Sequence, residues 1–159
     1  MPESCRSPGA DRGLNPILGG SPQPNKRRLS EMPVTRIAIR DGKTPEYKQA
    51  LLDEIYQAML ETAGIKEGDR FMAITEHDEH SFAYGNFLGI DRSDDLVQIQ
   101  VFWAPGKPVE AKLTMYKKIV ERLGANPGVR PEDILISVNE TAAENWSFGN
   151  GETQFYKPA

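Results

Sequence analysis

Cysteine is nearly missing from this chain of 159 residues, because Cys5 is the only one. A single cysteine excludes an intrachain disulfide framework and any zinc site built on paired cysteines, and it fits a reducing compartment. Long apolar runs are missing too: no segment approaches the roughly 20 apolar residues that cross a bilayer, and no secretory apolar stretch opens the chain. The sequence therefore predicts a cytoplasmic protein with no membrane partner.

Aromatic residues are absent from Met1 to Met32, although the whole chain has 6 Phe, 5 Tyr and 2 Trp. With so little apolar surface, this stretch cannot offset the entropy lost on ordering. We expect residues 1–31 to be either a disordered tail or a misassigned upstream extension, followed by one domain over residues 32–159. The basic cluster at residues 26–28 has no interleaved aromatic residue and the net charge of the chain is −4, so we expect no nucleic-acid partner.

Regular structure is predicted from Pro33 onward. The β-prone run at residues 34–39 is followed by Thr44 and a proline, a pair typical of the start of a helix. Apolar residues then recur at helical spacing as far as Gly64, and residues 71–76 form the next β-prone segment. A second strand-helix-strand pattern follows, with strands at 97–102 and 134–138 and a helix predicted to end at Gly124.

The chain repeats itself at an offset of 64 residues, which predicts duplicated β-α-β units at about 33–76 and 97–139. Crossover connections between parallel strands are right-handed, so two such units give one four-stranded sheet with both helices on one face, an α+β fold. The other face of the sheet needs covering, which favours a symmetric oligomer. Positions that coincide at this offset include Gly42 and Gly106, Lys43 and Lys107, Asp69 and Asp133, and Glu76 and Glu140.

Several motifs occur together at matching places in these units. Met32-Pro33 begins the first strand, Gly42-Lys43-Thr44 follows it, and Asn-Trp-Ser-Phe-Gly-Asn-Gly at 145–151 closes the domain. With this combination the chain resembles the tautomerase superfamily, in the branch that contains malonate semialdehyde decarboxylase, from Met32 to about Tyr156. The resemblance implies the tautomerase fold, a homotrimer, no cofactor, and chemistry at an amino-terminal proline that remains after removal of a methionine.

The resemblance assigns this catalytic role to Pro33. Its nitrogen is basic only as a free secondary amine, because within a chain it is a tertiary amide. Three alternatives stay open: translation starts at Met32, processing removes the upstream peptide, or the site is blocked. Without the resemblance, a proline at a strand start is an ordinary sheet-edge residue.

Asp69 matches the aspartate that the family places beside this proline, where it can hold the nitrogen or act on a water; a structural turn aspartate is the alternative. Arg70 has a neighbouring match, but strand alternation turns it away from Asp69, so a surface or intersubunit ion pair is equally favoured.

Family substrates carry a carboxylate, which needs a fixed cation. Lys43 and Lys107 are the candidates, with solvated loop charges as the alternative. The branch has Arg-Pro-Arg where this chain reads Ala-Pro-Gly-Lys at 104–107, which weakens the case for decarboxylation.

Trp146, Phe148 and Phe155 match the apolar wall of the family's pocket, with core packing as the alternative. His77 and His80 lie close in sequence, but HExxH is absent and the implied chemistry needs no metal, so we expect no metal site.

Three interpretations of function follow. The first is a cofactor-independent tautomerase of a small 2-keto or enol carboxylic acid, with Pro33 as general base. The second is a decarboxylase or hydratase of acids like malonate semialdehyde, with Pro33 charged. The third is a trimeric binding protein whose proline stays capped by the upstream peptide.

Overall fold

The computed structural model describes residues 32–157, so the tail predicted over 1–31 lies outside the described residues. Four strands and two α-helices make up this part of the chain. They are β1 (Val34–Arg40), α1 (Pro45–Thr62), β2 (Phe71–His77), β3 (Val97–Trp103), α2 (Val109–Ala125) and β4 (Ile134–Glu140). Single 3-10 turns occupy Phe87–Gly89, Pro131–Asp133 and Ala143–Asn145. Neither α-helix of residues 32–157 has the length and apolar character needed to traverse a membrane.

The four strands form one mixed sheet in the order β2-β1-β3-β4. Each β-α-β unit contributes a parallel pair, β1 with β2 and β3 with β4, and the two units join through antiparallel pairing of β1 with β3. Val34 consequently lies between Phe71 of β2 and Phe102 of β3. The start of β1, the start of β2 and the end of β3 therefore meet at one end of the sheet.

Both helices cover the same face of the sheet, as the duplication predicts. Alternate side chains of β1 and β3 point toward the helices, because successive residues of a strand face opposite sides. Burying one such aliphatic side chain contributes about 1.5–3 kcal/mol, so this layer supplies most of the apolar stabilisation. The side chains that are no more than 1% exposed include Ile37, Ile39, Val97, Ile99, Val101 and Trp103 of the sheet and Leu51, Ile55, Met59, Met115, Ile119 and Leu123 of the helices.

The first helix begins and ends as the sequence predicts, whereas the second does not. The side chain of Thr44 accepts a hydrogen bond from the backbone N–H of Tyr47 at 3.2 Å, which caps α1. The helix α2 continues one residue past Gly124, and Asn126 and Pro127 end it. The proline has no N–H with which to continue the helical bonding. The chain then reverses at Gly128, whose φ of +98° favours glycine.

An equivalent ion pair in each unit supports the duplication. The Lys48 ammonium lies 3.1 Å from a Glu76 oxygen, and the Lys112 ammonium lies 2.6 Å from a Glu140 oxygen. Both lysines belong to the first turn of a helix, and both glutamates lie near the end of the strand that follows it. The offset of 64 residues therefore describes shared tertiary contacts as well as shared sequence.

The opposite face of the sheet has no layer of helices over it. Its centre is polar, with Arg36 of β1 beside Gln98 and Gln100 of β3. Large apolar side chains lie on its two edge strands, where Phe71 is 48% exposed and Leu135 is 43% exposed. This uncovered face reaches the end of the sheet where β1 begins.

Candidate active site

Pro33 lies at the end of the sheet where β1 starts, and it is buried. The register pairs Val34 with Phe71 across a parallel ladder, so Pro33 lies next to the residues that lead into β2, Asp69 and Arg70. The antiparallel ladder pairs Val34 with Phe102, which brings the end of β3 to the other side of Pro33. The fold thus brings Pro33, Asp69 and the segment after β3 together.

The two repeat-related aspartates have different surroundings. Asp133 is fully buried, and its carboxylate accepts hydrogen bonds from the Ser93 N–H at 2.6 Å and the Ser93 hydroxyl at 2.7 Å, with the Arg130 Nε at 3.0 Å. Burial alone would raise the pKa of Asp133, but these donors outweigh it and lower that pKa below its ordinary value. Asp69 is partly exposed, and within residues 32–157 its carboxylate makes no hydrogen bond or ion pair. One copy of the motif is thus used in the fold, while the other has a carboxylate open to a ligand.

Arg70 turns toward the first helix and away from the uncovered face. Its guanidinium lies 2.7 Å from a carboxylate oxygen of Asp53 and 5.2 Å from the ring centroid of Tyr56. The pKa of Asp53 is lowered, mainly by a hydrogen bond from Gln49 and then by Arg70. The structure therefore favours the ion-pair interpretation of Arg70 over contact with a substrate.

Lys43 lies at the far end of β1 from Pro33. The strand between them has seven residues, and at about 3.3 Å per residue the two are separated by more than 20 Å. The Lys43 ammonium forms an ion pair with Asp95 and lies 5.2 Å from the ring centroid of Tyr47. Within one chain, Lys43 is therefore too far from Pro33 to contact a small substrate bound there, and its role in binding a carboxylate stays a prediction.

Lys107 follows β3 and lies at the same end of the sheet as Pro33. Its ammonium donates to the carbonyl oxygen of Ala63 at 2.5 Å and lies 5.3 Å from the ring centroid of Trp103. Ala63 caps the C-terminal end of α1, where the helix dipole favours a cation. Lys107 is thus on the correct side of the molecule, but its ammonium also binds the end of a helix.

The three predicted aromatic residues form one cluster over the uncovered face. Trp146 and Phe148 stack with centroids 5.3 Å apart, and Phe155 meets Phe148 edge-on at 5.6 Å. Phe148 also approaches Phe71 of β2 at 6.3 Å. The segment after β4 therefore crosses the end of the sheet and forms an apolar wall beside the start of β1.

A cavity of about 270 Å³ opens next to this wall. The indole N–H of Trp146 donates to the Thr141 carbonyl at 3.0 Å, which fixes the orientation of the ring. Arg36 reaches the cavity from β1, with its guanidinium 5.9 Å from the ring centroid of Phe102. No sequence motif singles out Arg36, although its alternation with the buried Thr35 and Ile37 indicates a side chain on the uncovered face. The lining residues are Val34, Arg36, Phe102, Thr141, Asn145 and Trp146.

Comparisons with known proteins identify the family. Two family profiles, each described as tautomerase enzyme, match residues 33–89 and 69–149. The probable tautomerase YusQ of Bacillus subtilis (strain 168) is 34% identical over 124 residues, which cover 77% of this chain and 98% of that protein. The chain belongs to the tautomerase family. A second probable tautomerase of the same organism, YrdN, is 31% identical over 125 residues, covering 78% of this tautomerase and 96% of YrdN.

Solved structures give the same family and fold. A malonate semialdehyde decarboxylase, described for its decarboxylase and hydratase activities, has a TM-score of 0.70 and 26% identity, covering 77% of this tautomerase and 95% of that chain. Another malonate semialdehyde decarboxylase, inhibited by 3-bromopropiolate, also has a TM-score of 0.70, with 34% identity over 77% of this chain and 93% of its own. A fused 4-OT symmetric trimer shares the fold at a TM-score of 0.63 and 18% identity, covering 75% of this chain and 94% of that one.

The two histidines of this tautomerase lie away from Pro33. His77 ends β2 and stacks on Phe82 with centroids 5.5 Å apart, whereas His80 is exposed, with Glu79 at 3.6 Å. Across residues 32–157, no group of three or more His, Cys, Asp or Glu side chains has the arrangement of a metal site.

Proposed function

We propose that this tautomerase interconverts the keto and enol forms of a small 2-oxo carboxylic acid, with Pro33 as its general base. The observation that carries the proposal is the convergence at one end of the sheet of three features. These are the buried Pro33, the Asp69 carboxylate without a partner in residues 32–157, and the aromatic wall of Trp146, Phe148 and Phe155.

The proposed reaction is a transfer of one proton. The Pro33 nitrogen removes a proton from the carbon next to the ketone, and a proton is returned to the carbonyl oxygen of the resulting enolate. A free α-amino group has an ordinary pKa of about 8. Burial lowers the pKa of an amine and a nearby carboxylate raises it. The apolar wall and Asp69 thus have opposite effects on the pKa of the Pro33 amine, which suits a base that works near neutral pH.

This chemistry requires that Pro33 be the first residue of the functional polypeptide. We propose that Met32 and the residues before it are absent from the active protein. Intact-mass measurement of natively expressed protein tests this directly, because a mass starting at Pro33 leaves a secondary amine. A mass that includes residues 1–32 would leave a tertiary amide and would favour a binding protein with a capped proline.

We also propose that the protein is a homotrimer, since the uncovered face carries the exposed Phe71 and Leu135 at its edges. A symmetric assembly would bury this apolar area without a second kind of chain. Sedimentation equilibrium at several concentrations checks this, and a monomer at micromolar concentration would contradict it.

A decarboxylase or hydratase is the second candidate, supported by the likeness to two malonate semialdehyde decarboxylases at 26% and 34% identity. In that case Pro33 would be charged and would polarise a carbonyl. The segment 104–107 weighs against this candidate, because a lysine cannot make the planar two-pronged contact of an arginine. A pH-rate profile separates the two: activity that needs Pro33 unprotonated rises with pH, and activity that needs it protonated falls.

The proline itself is tested by Pro33→Ala in the polypeptide that starts at this residue. We expect the rate of phenylpyruvate enol-keto conversion to fall by about 10²-fold or more, the usual contribution of a positioned general base, with assembly intact. Pro131→Ala is the matched control, since Pro131 lies in a 3-10 turn that precedes β4. Full activity of Pro33→Ala would remove the proline from the mechanism.

A further inference from the structure

The connection between β2 and β3 presents the two most exposed large apolar side chains of residues 32–157. Phe87 is 78% exposed and Leu88 is 79% exposed. Both lie in the 3-10 turn Phe87–Gly89, where Leu88 has a φ of +62°. A leucine rarely adopts this left-handed conformation, which persists only where neighbouring contacts impose it. Phe87 and Leu88, the apolar tip, are therefore held in solvent at a conformational cost.

Hydrogen bonds fix the turn that carries the apolar tip. The Arg92 guanidinium donates to the Gly85 carbonyl at 3.1 Å and to the Phe87 carbonyl at 3.5 Å. The Gly89 N–H donates to the Asn86 carbonyl at 2.8 Å. A surface that is already ordered loses less conformational freedom when it binds. The apolar tip is thus preorganised for contact with another surface.

An acidic side chain follows the apolar tip. Asp91 is exposed, and its carboxylate makes no hydrogen bond or ion pair in the part of the chain that the structure describes. Its backbone carbonyl accepts from the Arg130 guanidinium at 2.8 Å, which fixes its position. The nearby Asp94, by contrast, already pairs with Arg40. This end of the connection therefore combines two exposed apolar side chains with one unpaired negative charge.

The uncovered face of the sheet has the complementary properties. Arg36 is the one exposed residue of β1, and alone among the arginines of residues 32–157 it has neither a carboxylate nor a carbonyl as a partner. Its guanidinium lies 5.9 Å from the ring centroid of Phe102. The cavity of about 270 Å³ beside it has Val34, Phe102 and Trp146 in its lining and contains no Asp or Glu. This surface therefore offers an apolar hollow and one unpaired positive charge.

The two surfaces lie at opposite ends of the same chain's sheet. Tyr84 and Asp94, on either side of the apolar tip, share a hydrogen bond of 2.8 Å, and Asp94 lies 2.8 Å from Arg40 at the end of β1. The cavity lies at Val34, where β1 begins. The seven residues of β1 separate these ends by about 20 Å. A second copy of the chain can bring the surfaces together, because neighbours in a cyclic oligomer meet through unlike patches.

We propose that the apolar tip of one protomer docks on the uncovered face of the next, where it fills the cavity and the Asp91 carboxylate pairs with Arg36. Burial of the tip drives the association, and the opposite charges fix the register of the neighbours. Contact of the uncovered face with itself would instead bring two unpaired Arg36 charges together. This inference rests on the oligomer proposed above and is independent of the proposed reaction.

Charge reversal tests the proposed ion pair. Sedimentation equilibrium is measured on the natively expressed protein, on Arg36→Asp, on Asp91→Arg and on the variant with both changes. In each single variant two like charges face each other, so we expect the protomer concentration at half-assembly to rise about 10-fold or more. The double variant restores opposite charges and should recover most of this loss. Glu121→Arg, on the surface of α2, is the matched control and should assemble like wild type.

Leu88→Asn separates docking from local stability. Asparagine adopts a positive φ more readily than leucine does, so the change should preserve the turn. It removes exposed apolar surface, so half-assembly should again require about 10-fold more protein or more. Leu113→Asn is the matched control, because Leu113 of α2 is 50% exposed and lies outside the proposed contact. Circular dichroism confirms that each variant keeps its fold.

The outcomes distinguish the contact from the trimer. Wild-type assembly of Arg36→Asp, Asp91→Arg and Leu88→Asn would refute the contact and leave the trimer standing. Weakened single charge variants without recovery in the double variant would refute the ion pair. A wild-type monomer at every concentration would refute both proposals. An oligomer of another size that the single variants dissociate and the double variant restores would support the contact and correct the number of protomers.

Discussion

Replacement of Asp133 by asparagine tests whether the repeated aspartates have separate roles. Asp133 lies immediately before β4 with its side chain fully buried, and it ties the start of that strand to Ser93 in the connection between β2 and β3. Asparagine has nearly the same shape but carries no charge and only one acceptor oxygen. The change therefore removes hydrogen bonds while leaving the packing volume almost unaltered.

The expected loss follows from the three donors around the carboxylate. Ser93 supplies its N–H at 2.6 Å and its hydroxyl at 2.7 Å, and the Arg130 Nε lies at 3.0 Å. Hydrogen bonds to a charged group are worth about 1.5–3 kcal/mol each, and the amide of Asn can replace some of them. We expect the free energy of unfolding to fall by about 2–4 kcal/mol, a shift of roughly 1–2 M in the urea midpoint for a protein of this size.

The loss should also depend on pH in a definite direction. Because the pKa of Asp133 is lowered in the folded protein, its stabilisation is complete above the ordinary aspartate pKa of about 4 and disappears as pH falls through the folded value. Asparagine does not titrate. The gap in stability between wild type and Asp133→Asn should therefore be full at pH 7 and should narrow progressively below about pH 4.

Urea unfolding followed by circular dichroism, at one fixed protomer concentration, measures both quantities, since an oligomer gains stability with concentration. Asp69→Asn is the matched control because it makes the same chemical change at the equivalent position of the other unit. We expect Asp69→Asn to keep wild-type stability and to lose activity. Equal stability of wild type and Asp133→Asn at pH 7, or a gap that does not change with pH, would refute the reasoning.

Two further substitutions test the local structure around the site. Thr44→Ala removes the cap on the Tyr47 N–H and should lower the free energy of unfolding by about 1 kcal/mol in the same urea assay. Thr44→Ser keeps the hydroxyl and should not lower it. Unchanged stability of the alanine variant would show that the cap adds nothing. Phe148→Ala breaks the contacts with Trp146 and Phe155, and each aromatic pair is worth about 0.5–1.5 kcal/mol. The weakened wall should admit water beside Pro33, so activity on phenylpyruvate should fall. Activity at the wild-type level would show that this wall is not part of the site.

The order of strands and helices was predictable because their signals are local. Alternation in β1 and the Thr44-Pro45 start of α1 depend on neighbours within one turn or one strand. The end of α2 was predicted one residue too early, at Gly124. Glycine lowers the stability of a helix but does not prevent its hydrogen bonding, which continues until Pro127 removes a donor. Local signals therefore fixed the elements but not every boundary.

The composition of the site was harder to predict. Family motifs indicated Pro33, Asp69 and the three aromatic residues, and the fold brings these to one end of the sheet. The motifs also indicated Lys43 and Arg70, for which the structure supplies other partners, Asp95 and Asp53. Arg36 matches no motif that was recognised, and only its position on the uncovered face beside Trp146 draws attention to it.

The sequence by itself determined the duplicated β-α-β architecture and the tautomerase family, because periodicity and repeated motifs survive in one dimension. Only the tertiary structure decided which charges lie near Pro33 and which of two equivalent aspartates retains an unpartnered carboxylate. The physical reason is that distance in sequence and distance in space are unrelated in a sheet. The two ends of one seven-residue strand are more than 20 Å apart, whereas antiparallel pairing brings together residues nearly seventy positions apart, such as Val34 and Phe102.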